Sequence, residues 1–110
     1  MKYLLLFTSL TFSAISSYAA EPAIDEFNLT IKGHVFVPSE LTIPAGKKVK
    51  IIVDNQDITP EEFESYDLHR EKVIAGGKKG TILVGPLKAG EYKFIGEFHK
   101  ETANGIIKVQ

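Results

Sequence analysis

Residues 85–109 read GPLKAGEYKFIGEFHKETANGIIKV, and this stretch decides the fold. A Gly-Pro turn and a second turn at Ala89 to Glu91 precede a run of β-forming residues, Glu91 to Ile95. A loop holding one histidine, His99, follows, and a glycine then restarts an apolar run, Ile106 to Val109. Two strands joined by a histidine-bearing loop are the expectation.

The same punctuation continues upstream. PAG at 44–46 and AGGKKG at 75–80 mark turns, the latter expected to close a hairpin. Between the turns lie short runs rich in β-branched and aromatic residues: Phe27 to Ile31, His34 to Val37, Lys48 to Val53 and Thr81 to Val84. Alternation in Lys48 to Val53 is imperfect, as expected of a strand covered on both faces near its end. Pro60 to Lys72 is rich in charge and is expected to form a short helix or an irregular loop. Six or seven short strands imply an all-β β-sandwich in one domain.

Composition bounds the function. The chain has 110 residues, 44% hydrophobic and 25% charged, in the range of one globular domain. A formal charge of −1 gives no broad electrostatic reason to bind nucleic acid or an anionic membrane. There is no cysteine, so disulfides, thiolate metal sites and thiol nucleophiles are excluded. Glycines 76, 77 and 80 lack the context of a phosphate loop, and Ser65, Asp67 and His99 lack a nucleophile elbow.

The first residues, MKYLLLFTSLTFSAISSYAAEP, place Lys2 before an apolar start and small residues at Ser17 and Ala19. This is the pattern of a secretory signal peptide, residues 1–19, cleaved after Ala19. Residues 20–110 then form the mature domain, exported to the periplasm and not inserted in the membrane.

Three segments, in order, resemble the cupredoxin-like family, and the resemblance implies its Greek-key β-sandwich. HVFVPSELTIPAGKKVKIIVDN (34–55) is similar to its early strands, with an aromatic, Pro38 and LTIPAG ahead of a strand ending in Asn55. NQDITPEEF (55–63) resembles the segment that carries the first copper histidine, and residues 85–109 resemble the closing hairpin with its Cys, His and Met ligands. Placed residue by residue, Glu61 stands at the first histidine, Gly96 at the cysteine and Ala103 at the methionine, while His99 keeps the ligand position. Blue-copper electron transfer needs a thiolate with two imidazoles, which this chain cannot supply.

Carboxylates stand where soft ligands are missing. The resemblance implies that the loops after Asn55 and after Phe94 meet at one end, so Glu61 or Glu62 can face Glu97 and His99. Glu97 and His99 share a face if the strand extends that far. A carboxylate-imidazole set suits iron, Cu(II) or Zn(II) and leaves the choice open. Glu61, Glu62, Glu97 and His99 are therefore the candidate ligands of an iron or copper cofactor, with His34 as a fifth. Against this, a lone strand histidine is commonly structural, and exposed glutamates are commonly just solvated. His69 belongs to a solvated charged run, and Glu64 and Glu71 have Arg70, Lys72 or Lys100 as surface partners.

EEFESYDLHREK (61–72) with GEFH (96–99) is similar to exported cupredoxin-like proteins found beside membrane iron permeases. That resemblance implies a periplasmic metal-binding protein acting in iron or copper uptake, with a permease as partner and ferrous iron oxidation as a further step. The alternative is a metal-free binding module whose carboxylate loops dock on a basic partner.

Overall fold

A computed structural model describes residues 2–6, 8–15 and 23–110. The expected cleavage point after Ala19 lies outside the described residues. Among them no helix is long and apolar enough to cross a membrane.

Nine strands are described: β1 Glu26–Lys32, β2 Val35–Val37, β3 Glu40–Ile43, β4 Val49–Asn55, β5 Glu61–Ser65, β6 Arg70–Ile74, β7 Lys79–Val84, β8 Gly90–Gly96 and β9 Asn104–Val109. They form two sheets, ordered β2-β1-β4-β7 and β3-β9-β8-β5-β6. Two pairings, β1 with β4 and β3 with β9, are parallel, and the rest are antiparallel. The all-β sandwich expected from the sequence is the fold observed.

The core lies between the sheets and follows the period of two. β4 sends Val49, Ile51, Val53 and Asn55 inward, while Lys50, Ile52 and Asp54 are half-buried outside. β7 alternates buried Gly80, Ile82 and Val84 with exposed neighbours. Three phenylalanines from different strands lock the sheets together. Phe63 and Phe94 stack with centroids 5.2 Å apart, and Phe36 meets Phe94 edge-on at 4.9 Å. Each such pair contributes about 0.5–1.5 kcal/mol beyond the area it buries.

Three expectations are corrected. Residues 60–72 form neither helix nor irregular loop, because β5 and β6 make an antiparallel hairpin pairing Glu61 with Ile74 through Ser65 with Arg70. The charges concealed a strand period: Glu61, Phe63 and Ser65 are buried and Glu62 and Glu64 are not. AGGKKG does not close a hairpin, since β6 and β7 belong to different sheets and the turn carries the chain across the sandwich. At Gly76 a Cβ would come within 2.1 Å of the Ile58 carbonyl oxygen, so close approach to the preceding loop requires glycine there.

His34, expected on a strand, lies in the turn between β1 and β2 instead. Gly33 and His34 both have positive φ, 62° and 58°, the conformation of a tight two-residue hairpin turn. The aspartate that accepts both their N–H groups is distant in sequence, which hid the turn.

Candidate metal centre

Glu61 is the base of the site. As the first residue of β5 it points inward and is 1% exposed, one of the few charged side chains so placed. Its carboxylate is satisfied from two directions. Oε1 accepts the N–H of Glu62 at 3.0 Å and that of Phe98 at 2.9 Å. Oε2 accepts a hydrogen bond from Nδ1–H of His99.

His99 is placed by the end of β8. The strand stops at Gly96, and Glu97–His99 make one 3₁₀ turn. Its end is secured by the Ala103 N–H, which donates to the His99 carbonyl at 2.8 Å, and by the Gly96 N–H, which donates to the Ala103 carbonyl at 2.9 Å. Glu97 and His99 thus do not share a strand face. Their relation is that of a tight turn.

His34 completes the group by stacking on His99, with ring centroids 3.6 Å apart and planes 15° from parallel. One donor atom from each of His34, Glu61 and His99 lies within 4.8 Å of the others. Thr102 ties the two loops together, its hydroxyl donating to the His34 carbonyl at 2.6 Å.

Asp57 supports His34 from behind and was not among the sequence candidates. Its Oδ1 accepts the Gly33 N–H at 2.8 Å and its Oδ2 the His34 N–H at 3.0 Å. These bonds, the one from His34 foremost, hold the Asp57 carboxyl below its usual range. Nδ1 of His34 lies 3.4 Å from Oδ2, within ion-pair distance but without hydrogen-bond alignment, so this buried nitrogen has no hydrogen-bond partner.

The remaining candidates divide. Glu97 lines the same cleft as His34, Phe98, His99 and Thr102. Its Oε1 pairs with Lys100 at 3.0 Å, which raises the Lys100 pKa, while its buried Oε2 lacks a hydrogen-bond partner. Glu62 departs from the expected group: alternation puts it on the face of β5 opposite to Glu61, beside Glu64 and Glu71. There Glu64 lies directly across from Glu71. Partial desolvation first, then Glu71 and Glu62, push the Glu64 carboxyl above its usual range. The basic neighbours expected to neutralise these glutamates are engaged elsewhere. Arg70 donates to the Leu83 carbonyl at 3.0 Å, Lys72 to the Thr81 carbonyl at 3.2 Å, and Lys100 pairs with Glu97.

Much of the EEFESYDLHREK string is structural. Phe63 and Leu68 are buried, the Ser65 hydroxyl donates to the Lys93 carbonyl at 2.7 Å, and Asp67 accepts the Lys93 N–H at 2.8 Å. His69 is an exposed turn residue with φ 53°. Only Glu61 of this string reaches the histidine pair.

The donor chemistry can be tested against a metal. Two imidazoles and a buried carboxylate, with the buried Oε2 of Glu97 lacking a hydrogen bond beside them, fit a borderline divalent ion. They do not fit a thiolate copper centre: a Cβ at Gly96 would meet the Ala103 Cβ at 2.6 Å and the Glu61 Cδ at 2.8 Å.

Comparison with known proteins agrees with this architecture. An uncharacterized protein of Rickettsia prowazekii (strain Madrid E) is 46% identical over 84 residues, covering 76% of this chain and 67% of the relative. Among solved structures, auracyanin A, a "blue" copper protein from Chloroflexus aurantiacus, is 16% identical with TM-score 0.68, over 80% of this chain and 100% of its own. The metal binding domain of the Cu(I) exporting P-type ATPase CopA of Streptococcus pneumoniae D39 is 15% identical with TM-score 0.68, over 84% and 91%. At such identities these likenesses bear on the fold alone. The cupredoxin-like domain family model matches residues 3–109, and the chain therefore belongs to the cupredoxin-like family.

Proposed function

We propose that this chain is an exported metal-binding protein that takes a divalent ion, ferrous iron or cupric copper, between His34, Glu61 and His99 and presents it to an uptake system at the membrane. The observation that carries this reading is the convergence of the three donor atoms within 4.8 Å, with Glu61 almost fully buried at their base. A buried carboxylate needs compensation, and a cation beside it supplies that.

The choice of ion follows from the donors. With no cysteine and a single methionine at position 1, the domain offers nothing soft enough to favour Cu(I). Two imidazoles with one carboxylate and open positions form the set common in non-haem Fe(II) proteins, and the same borderline donors suit Cu(II). When bound, such an ion brings Lewis acidity and, for iron, a second oxidation state that anionic oxygens favour. Glu61 contributes the charge, His99 and His34 the neutral donors, and Glu97 a further oxygen at the rim. Holding and delivery need no more than this. Export rests on the Lys2 to Ala19 pattern, and a permease partner on the resemblance of residues 61–72 and 96–99 to proteins of iron uptake.

A second reading, a metal-free module docking a basic partner, is favoured by one observation. Glu62, Glu64 and Glu71 form a like-charged group on the outer face of β5 and β6. Calorimetric titration with Fe(II) under anaerobic conditions, and with Cu(II) and Zn(II), separates the two. One-site binding that His99→Ala and Glu61→Gln both weaken supports the metal site. Binding no tighter than that of scattered surface carboxylates leaves the docking module.

A further inference from the structure

We infer that Asp57 is a positioning residue for His34: it fixes the Gly33–His34 turn and sets its negative charge against the Nδ1 edge of the ring, leaving Nε2 as the atom that meets the ion. This deepens the metal-binding reading above and rests on it.

The backbone half of the argument is geometric. His34 holds φ 58°, a conformation that a residue with a Cβ adopts only when its surroundings enforce it. Both turn N–H groups donate to the two oxygens of one carboxylate, so Asp57 supplies that enforcement. Asp57 is itself held. Its own N–H donates to Oδ1 of Asn55 at 3.1 Å, and Asn55 is fully buried, its Nδ2 donating to the Thr59 and Ile74 carbonyls at 2.9 and 3.1 Å. A chain of contacts therefore runs from the sandwich core through Asn55 and Asp57 to His34.

The ring half concerns which nitrogen is free. An ionised carboxylate only accepts, so the nitrogen facing Oδ2 at 3.4 Å is stabilised with its proton on. Nδ1 is sealed from solvent, yet the His34 side chain remains 43% exposed. An ion arriving from solvent meets the other edge of the ring, where Nε2 carries the lone pair. Carboxylates that fix the tautomer of a ligating histidine are worth roughly 10–100-fold in metal affinity.

The test is long-range ¹⁵N–¹H correlation NMR of the unsubstituted chain at alkaline pH, without metal and with Zn(II). We expect His34 protonated on Nδ1 in the metal-free chain and a zinc-induced shift at its Nε2. In Asp57→Asn the amide can donate where the carboxylate accepted, so the tautomer should change and zinc affinity should fall roughly 10–100-fold. Thr102→Val removes the hydroxyl bond to the His34 carbonyl and leaves the Asp57 carboxylate in place, so it should leave the tautomer as it was. An Nε2-protonated ring in the unsubstituted chain, or a tautomer and affinity untouched by Asp57→Asn, would overturn the inference. A chain that takes no zinc but shows the Asp57-dependent tautomer overturns the metal reading instead, and keeps Asp57 as the residue that orients His34.

Discussion

The Glu61 carboxyl group stands in the space that a side chain on Gly96 would need: a Cβ there would lie 2.8 Å from Glu61 Cδ. The two positions are thus physically exclusive. In the resemblance drawn from the sequence they stand at a histidine and a cysteine. Here a buried glutamate on β5, hydrogen-bonded to His99, is accommodated by a glycine at the end of β8.

Gly96→Ala should destabilise the chain by about 1–3 kcal/mol, the usual cost of overpacking a filled site. In a Glu61→Ala background the cost should shrink, leaving the part due to Ala103, whose Cβ lies 2.6 Å from the added atom. Urea unfolding of the parent, the two single variants and the double variant in a double-mutant cycle measures the coupling. Gly96→Cys loaded with Cu(II) should develop no intense blue absorption, since the added sulfur and the Glu61 carboxyl compete for one place.

Glu61→Gln and Glu61→Ala should part company. Glutamine keeps an oxygen for the N–H groups of Glu62 and Phe98, so thermal stability should change little while metal affinity falls at least tenfold. Alanine leaves two N–H groups near the site without their acceptor, at about 1–3 kcal/mol for each one left buried and unpaired. Melting temperature and calorimetric affinity, measured together, distinguish support from ligation.

Much of the fold was legible in the sequence because most core strands obey one rule. β4, β7, β8 and β9 were found from β-branched and aromatic runs between turn residues, with ends off by a few positions. β5 was missed because its inward face carries Glu61, Phe63 and Ser65, a set that does not read as apolar. Two polar members of that set are buried because each has partners far along the chain, His99 for Glu61 and Lys93 for Ser65. His34 and Asp57 pose the same difficulty: their contact spans 23 residues and depends on a turn of positive φ. The resemblance, by contrast, brings Glu61 or Glu62 to the same end as Glu97 and His99, and leaves open which of the two glutamates meets the histidine.

Asn55→Ala should cost about 2–4 kcal/mol. Its amide holds carbonyls of two segments together, Thr59 ahead of β5 and Ile74 at the end of β6, and truncation leaves a buried void with unpaired acceptors. Because Asn55 also accepts the Asp57 N–H, the variant should lose zinc affinity along with stability. Chemical denaturation and zinc titration of the same sample check both effects.

Glu64→Gln should stabilise the chain at neutral pH. The folded state raises the Glu64 carboxyl above its usual 4.5, so folding binds this proton more tightly than the unfolded chain does. The penalty is therefore complete above the raised folded-state value and disappears as pH falls below 4.5. The stability difference between Glu64→Gln and the parent should follow that course, positive at pH 7 and absent at pH 3.5. Equilibrium unfolding across this range reads it directly.

The position of a bound ion tests the account most directly. Anomalous diffraction from crystals grown with Zn(II) or Cu(II) should place one strongly occupied ion between His34, Glu61 and His99, with oxygen or nitrogen in every coordinating position. An ion among Glu62, Glu64 and Glu71 instead, with the two histidines still stacked and unligated, would contradict it.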